Sequence, residues 1–92
     1  MSKHTHHATH PAIIKRLKRA NGHLMSVIAM IETQRPCADI ALQLHAVEKA
    51  ITQAKRTLIH DHIDHCLDTA MAGAGGDEAP ATTEFKAIAK YL

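Results

Sequence analysis

The chain has 92 residues, 46% of them hydrophobic, with one Phe, one Tyr and no Trp, and a formal charge of +2 with histidine neutral. So short a chain buries little apolar surface alone, which predicts association with further copies of itself. The small net charge excludes a uniformly basic nucleic-acid binder, so any DNA contact must come from local clustering of cations.

The first segment, residues 1–10, carries His4, His6, His7 and His10 without hydrophobic periodicity, and is read as a flexible His-rich tail. Thr5, Ala8 and Thr9 break the run, unlike an uninterrupted purification tag, which favours a native metal-binding tail. With no apolar leader at this end and no apolar run of the roughly 18 to 20 residues a membrane span needs, the expected location is cytoplasmic, with reduced thiols.

A single helical domain is expected over residues 11–92. Pro11 suits the first turn of a helix, and Ile13, Leu17, Leu24, Ile28 and Ile31 recur on one face as far as Thr33. Lys15, Arg16, Lys18 and Arg19 crowd its first turns, either as a solvated face or as a phosphate-binding patch. Arg35-Pro36 ends it. From Pro36 to about Ala70, Ile40, Leu44, Val47, Ile51, Ala54 and Leu58 alternate steps of four and three, the cadence of a long helix with a packing seam. The segment Met71 to Ala81, with three glycines and Pro80, reads as a loop, after which Thr82 or Thr83 caps a short helix bearing Phe85, Ile88 and Leu92. The expected fold is all-α: two long helices and a short C-terminal one.

Near the end of the second helix the sequence reads His60-Asp61-His62-Ile63-Asp64-His65-Cys66. His62 and Cys66, four apart on a helix, have Cβ atoms about 6 Å from one another, close enough to share an ion. Thiolate with imidazole suits Cu(I), Zn(II), Ni(II) or Co(II). The other thiol, Cys37, is 25 residues from His62, about 37 Å along a helix at 1.5 Å per residue. If Cys37 contributes, it does so from another chain. Two antiparallel copies of the second helix, crossing near Ala50 or Ile51 along a ridge of Ala46, Ala50 and Ala54, would create two such sites by symmetry. Alternatively the alanines are ordinary helix formers and Cys37 a small buried hydrophobe. His60, Asp61, Asp64 and His65 read as a solvated helix face, and His23 and His45 as structural or exposed. Lys49, Lys55 and Arg56 can widen the basic patch, which repeats in an oligomer.

The sequence has no GxGxxG, Walker loop or CxxC, and although Cys66 and His62 could form a nucleophile and base, nothing supplies a substrate pocket or oxyanion hole. No enzyme and no small-molecule substrate are expected.

The run Lys15-Arg16-Leu17-Lys18-Arg19 followed by Gly22, then Cys37, His62 and Cys66, together with the stretch from Gln43 to Ala50, resembles the CsoR/RcnR family of bacterial metal-sensing transcriptional repressors over Ile13 to Leu92. The resemblance implies helical dimers assembling into tetramers, operator DNA bound without a helix-turn-helix through basic helix surfaces, and release when metal binds across the dimer interface. It implies Cys37 of one chain with His62 and Cys66 of the other as ligands, and Arg16 and Arg19 among the DNA contacts. In its nickel and cobalt members an N-terminal His joins the site; the matching position is Thr5, flanked by His4 and His6, either of which could serve from a mobile tail. His23, where many relatives have Gln, resembles the branch linked to efflux genes. The expected function is a Ni(II)- or Co(II)-responsive repressor of an efflux gene. The alternatives are a Cu(I)-responsive repressor and, in another class, a metal-storage or delivery protein.

Overall fold

The structure, a computed structural model, describes residues 9–71 and 79–92, apart from the side chains of 66, 69–71 and 79–82. His4, His6 and the side chain of Cys66 therefore lie outside the described residues. Three helices follow in order, α1 (His10–Glu32), α2 (Cys37–Met71) and α3 (Ala79–Ala89), with no strand among the described residues. No helix of the described residues is long and apolar enough to cross a membrane.

Pro11 stands in the first turn of α1, where its missing N–H costs nothing, and the Ile13 N–H donates to the Thr9 carbonyl at 3.0 Å. The helix starts at His10, one residue before the expected position. At its other end Gln34 adopts φ 59, and the Arg35 N–H donates back to the Met30 carbonyl at 2.9 Å. This left-handed residue satisfies carbonyls that the helix end would orphan and reverses the chain within a few residues. The Pro36 carbonyl then accepts from the Ile40 N–H at 3.1 Å, opening α2. The third helix begins earlier than expected. Pro80 lies in its first turn rather than in a loop, and Thr82 and Thr83 lie inside the helix instead of capping it. A proline is compatible with a helix start for the same reason as Pro11.

The two long helices pack as a hairpin, and α3 rests on α2 without touching α1 among the described residues. The buried residues are Ile13, Ala20 and Val27 of α1 and Val47, Ala54 and Ile59 of α2, and among the described residues no polar side chain is buried. Except for Ile59 these recur at steps of seven, as for helices meeting along a narrow seam. Small residues at Ala20 and Ala54 permit a close approach.

Of the apolar face of α1, Ile13 is buried, Leu24 half-buried, and Leu17, Ile28 and Ile31 exposed. One expectation is corrected. The ridge expected at a contact between chains runs from exposed Ala46 through half-buried Ala50 to Ala54, buried inside its own chain. Small side chains suit any close helix contact, and here the nearest helix is α1. What α2 leaves open is instead Leu44, Ile51 and Leu58. The result is elongated, 59 × 25 × 15 Å, with a radius of gyration of 18.0 Å, against about 12 Å for a compact domain of this length.

Replacing Gln34 by Gly should raise the unfolding free energy by about 0.5–1 kcal/mol, because the left-handed backbone penalises a Cβ more than glycine's extra freedom favours the unfolded chain. Urea denaturation measures it; a loss of stability would mean the Gln34 side chain contributes more than its backbone costs.

Candidate metal centre

Cys37 is the first residue of α2 and is exposed. His62 lies on the same uninterrupted helix, 25 residues on, which at 1.5 Å per residue sets the two about 37 Å apart. Cys66 follows one turn after His62, on the same face by helical geometry. Among the described residues no three His, Cys, Asp or Glu side chains come together closely enough to hold a metal ion.

The His62 side chain is 25% exposed, and its Nε2 lies 3.4 Å from Oε1 of Glu84 on α3. Ile59, buried one turn earlier, anchors this part of α2. A carboxylate beside Nε2 favours the tautomer with its proton there, which leaves the Nδ1 lone pair available to a metal ion. The donor set of thiolate and imidazole, with one imidazole held by a carboxylate, fits a borderline-soft transition ion such as Ni(II), Co(II), Zn(II) or Cu(I). Glu84 is the contact that sequence reasoning missed: its partner lies on another helix, across a glycine-rich stretch with no fixed spacing.

His60, Asp64 and His65 are exposed and Asp61 is half-buried. His45 is exposed, with Nδ1 3.8 Å from Oε1 of Glu48 one turn on. His23 is structural: its Nε2 is 2.7 Å from Oε1 of Gln43, a part-buried hydrogen bond that joins α1 to α2.

Lys15, Arg16, Lys18 and Arg19 are all exposed on the first half of α1. Lys15, Arg16 and Arg19, with Pro11 and Ala12, line an open cleft of about 390 Å³. Lys49, Lys55 and Arg56 are exposed on α2. Seven residues apart, Lys49 and Arg56 share a face; Lys55 points roughly 100° away from Arg56.

Comparison with known proteins gives a concordant picture. A family described as "Metal-sensitive transcriptional repressor" matches residues 9–91. The copper-sensing transcriptional repressor CsoR of Mycobacterium ulcerans is 37% identical over 68 residues, which are 74% of this chain and 58% of that protein, so the chain spans less than two thirds of that relative. CsoR of Bacillus subtilis is 34% identical over 87 residues, 86% of each chain. Among solved structures, the nickel-responsive transcriptional regulator InrS superposes with a TM-score of 0.77 at 27% identity, covering 94% of both chains. The three-helix layout is shared with it.

Glu84→Gln should keep the size and shape of the side chain while removing the charge beside His62. Metal affinity, measured by competition with a chromophoric chelator, should fall about 10- to 100-fold. Affinity unchanged within twofold would mean that Glu84 does not tune the ligand.

Proposed function

Since the chain belongs to the family of metal-sensitive transcriptional repressors, we propose that it represses a metal-efflux gene, binding operator DNA without metal and leaving it when Ni(II) or Co(II) binds between two subunits. It acts in the cytoplasm by binding, without catalysis. The observation that carries this reading is the placement of Cys37 and His62 toward opposite ends of one rigid helix. A site using both is complete only when a second copy, running antiparallel, sets its own His62 and Cys66 beside Cys37. The open row Leu44, Ile51 and Leu58 lies between them, where such a copy would pack, and a pair of these dimers would form the tetramer.

Cys37 of one chain with His62 and Cys66 of the other would hold the ion, and His4 or His6 of the tail would complete the site. The bound ion supplies a coordinate link between chains. Glu84 orients the His62 ring, and because α3 carries Glu84, the position of α3 is tied to the state of the site.

The operator phosphates would meet Lys15, Arg16, Lys18 and Arg19, whose cleft repeats on each subunit, with Lys49 and Arg56 on the flank; Lys55, roughly 100° round the helix from Arg56, lies off that face. Each subunit alone offers too few contacts; repetition multiplies them. A storage or delivery protein, the reading from another class, has no use for such a patch.

Copper is the second reading, because relatives such as the CsoR proteins of Mycobacterium ulcerans and Bacillus subtilis are copper-sensing, while the nickel-responsive InrS shares the fold. Cys37, His62 and Cys66 suit either ion, and the His-rich tail favours nickel or cobalt, since Cu(I) prefers thiolates and few ligands. Absorption spectra decide. With Ni(II), thiolate charge-transfer bands should appear in the full chain and change when residues 1–8 are removed. Tight Cu(I) binding indifferent to that removal, with Ni(II) too weak to release DNA, would establish the copper reading.

Removing charge at Arg16 and Arg19 should weaken operator binding and flatten the plot of log affinity against log salt, by a slope of about one for each phosphate no longer neutralised. Unchanged binding across a salt series would place the DNA interface elsewhere.

A further inference from the structure

The open face of α2 is apolar along its centre and charged along one flank. Leu44, Ile51 and Leu58 are 46%, 45% and 38% exposed and stand seven residues apart. Beside them an open groove is lined by Leu24, Leu44, Val47, Ile51 and Thr52, with one charged residue, Glu48. Taking Ile51 as the reference and 100° per residue, Glu48 lies about 60° and Lys55 about 40° to the same side. On the other side Val47 and Ala54 are buried against α1. The seam thus has one occupied flank and one flank bearing a carboxylate and an ammonium.

From this we infer that Glu48 and Lys55 form reciprocal ion pairs between two copies of the chain, and that these pairs select the antiparallel register of α2 against α2. The inference rests on the intersubunit pairing proposed above. With Ile51 opposite its symmetry mate, residues equally distant from it on opposite sides lie level, which sets Leu44 against the partner's Leu58. Glu48 is three residues before Ile51 and Lys55 four after, so Glu48 and the partner's Lys55 differ in level by one residue, about 1.5 Å. In antiparallel helix pairs a given flank faces the same flank of the partner, so the two groups meet, and the two-fold axis makes the contact twice. The same register sets Cys37 level with residue 65 of the partner, next to Cys66 and within one turn of His62. A parallel pairing would instead turn this flank toward the partner's opposite flank, where Val47 and Ala54 are buried, and neither Glu48 nor Lys55 would find its counterpart. Within one chain Glu48 has a 3.8 Å contact with His45, both side chains well exposed; such a contact is weak enough to exchange for a lysine.

The test is a charge swap read by sedimentation equilibrium and native mass spectrometry of full-length protein at low salt. Glu48→Lys and Lys55→Glu each place two like-charged pairs in the homodimer, and each should raise the dimer dissociation constant roughly tenfold or more. Mixing the two variants should give the heterodimer in excess of the statistical half, because every flanking pair is then opposite in sign. The double variant Glu48→Lys/Lys55→Glu should dimerise like wild type, which separates loss of pairing from loss of folding. At 1 M salt the differences should collapse. Single variants that dimerise like wild type, or a statistical mixture, would overturn the ion pairs while leaving the dimer intact. A wild-type chain that stays monomeric would overturn the intersubunit reading beneath them.

Discussion

The stiffness of α2 governs the rest of the molecule. A helix of 35 residues without interruption fixes the distance between any two of its side chains, and no rotamer change brings Cys37 to His62. Chemistry that needs both must draw on two molecules. Under the intersubunit reading, association would be part of the binding reaction, and ligand affinity and subunit affinity would be coupled quantities.

The packing agrees with this requirement. Between α1 and α2 the interface is thin, built from Ile13, Ala20 and Val27 against Val47 and Ala54, while Leu17, Ile28, Leu44, Ile51 and Leu58 remain exposed. Full burial of a leucine or isoleucine stabilises by about 1.5–3 kcal/mol, and covering the 38–47% of these five side chains still exposed would let a second copy add a sizeable share of that.

Much of this is legible in the sequence. The steps of four and three from Ile40 to Leu58 mark the long helix, Arg35-Pro36 marks the corner, and one count of residues between Cys37 and His62 rules out a site within one chain. Periodicity shows which face is apolar but not which partner covers it, so the alanine ridge suits a second chain as well as it suits α1, on which Ala54 closes. The start of α3 escapes a reading by composition, since Pro80 among glycines has the look of a breaker, whereas a first-turn proline costs a helix nothing. Glu84 beside His62 and Gln43 beside His23 join residues on different helices, and neither local spacing nor composition encodes such pairs.

The His23–Gln43 bond also bears on the small, repetitive interface around it. Ile13, Ala20 and Val27 facing Val47 and Ala54 repeat at seven residues, so sliding α1 along α2 by one repeat would match apolar with apolar again and cost little in burial. A part-buried imidazole and amide, satisfied in only one alignment, burden the slipped hairpin with the desolvation of both groups. That polar contact reinforces at mid-helix the alignment that the tight turn at Gln34 fixes at one end. Together they keep the cations of α1 at a fixed distance along the molecule from Cys37.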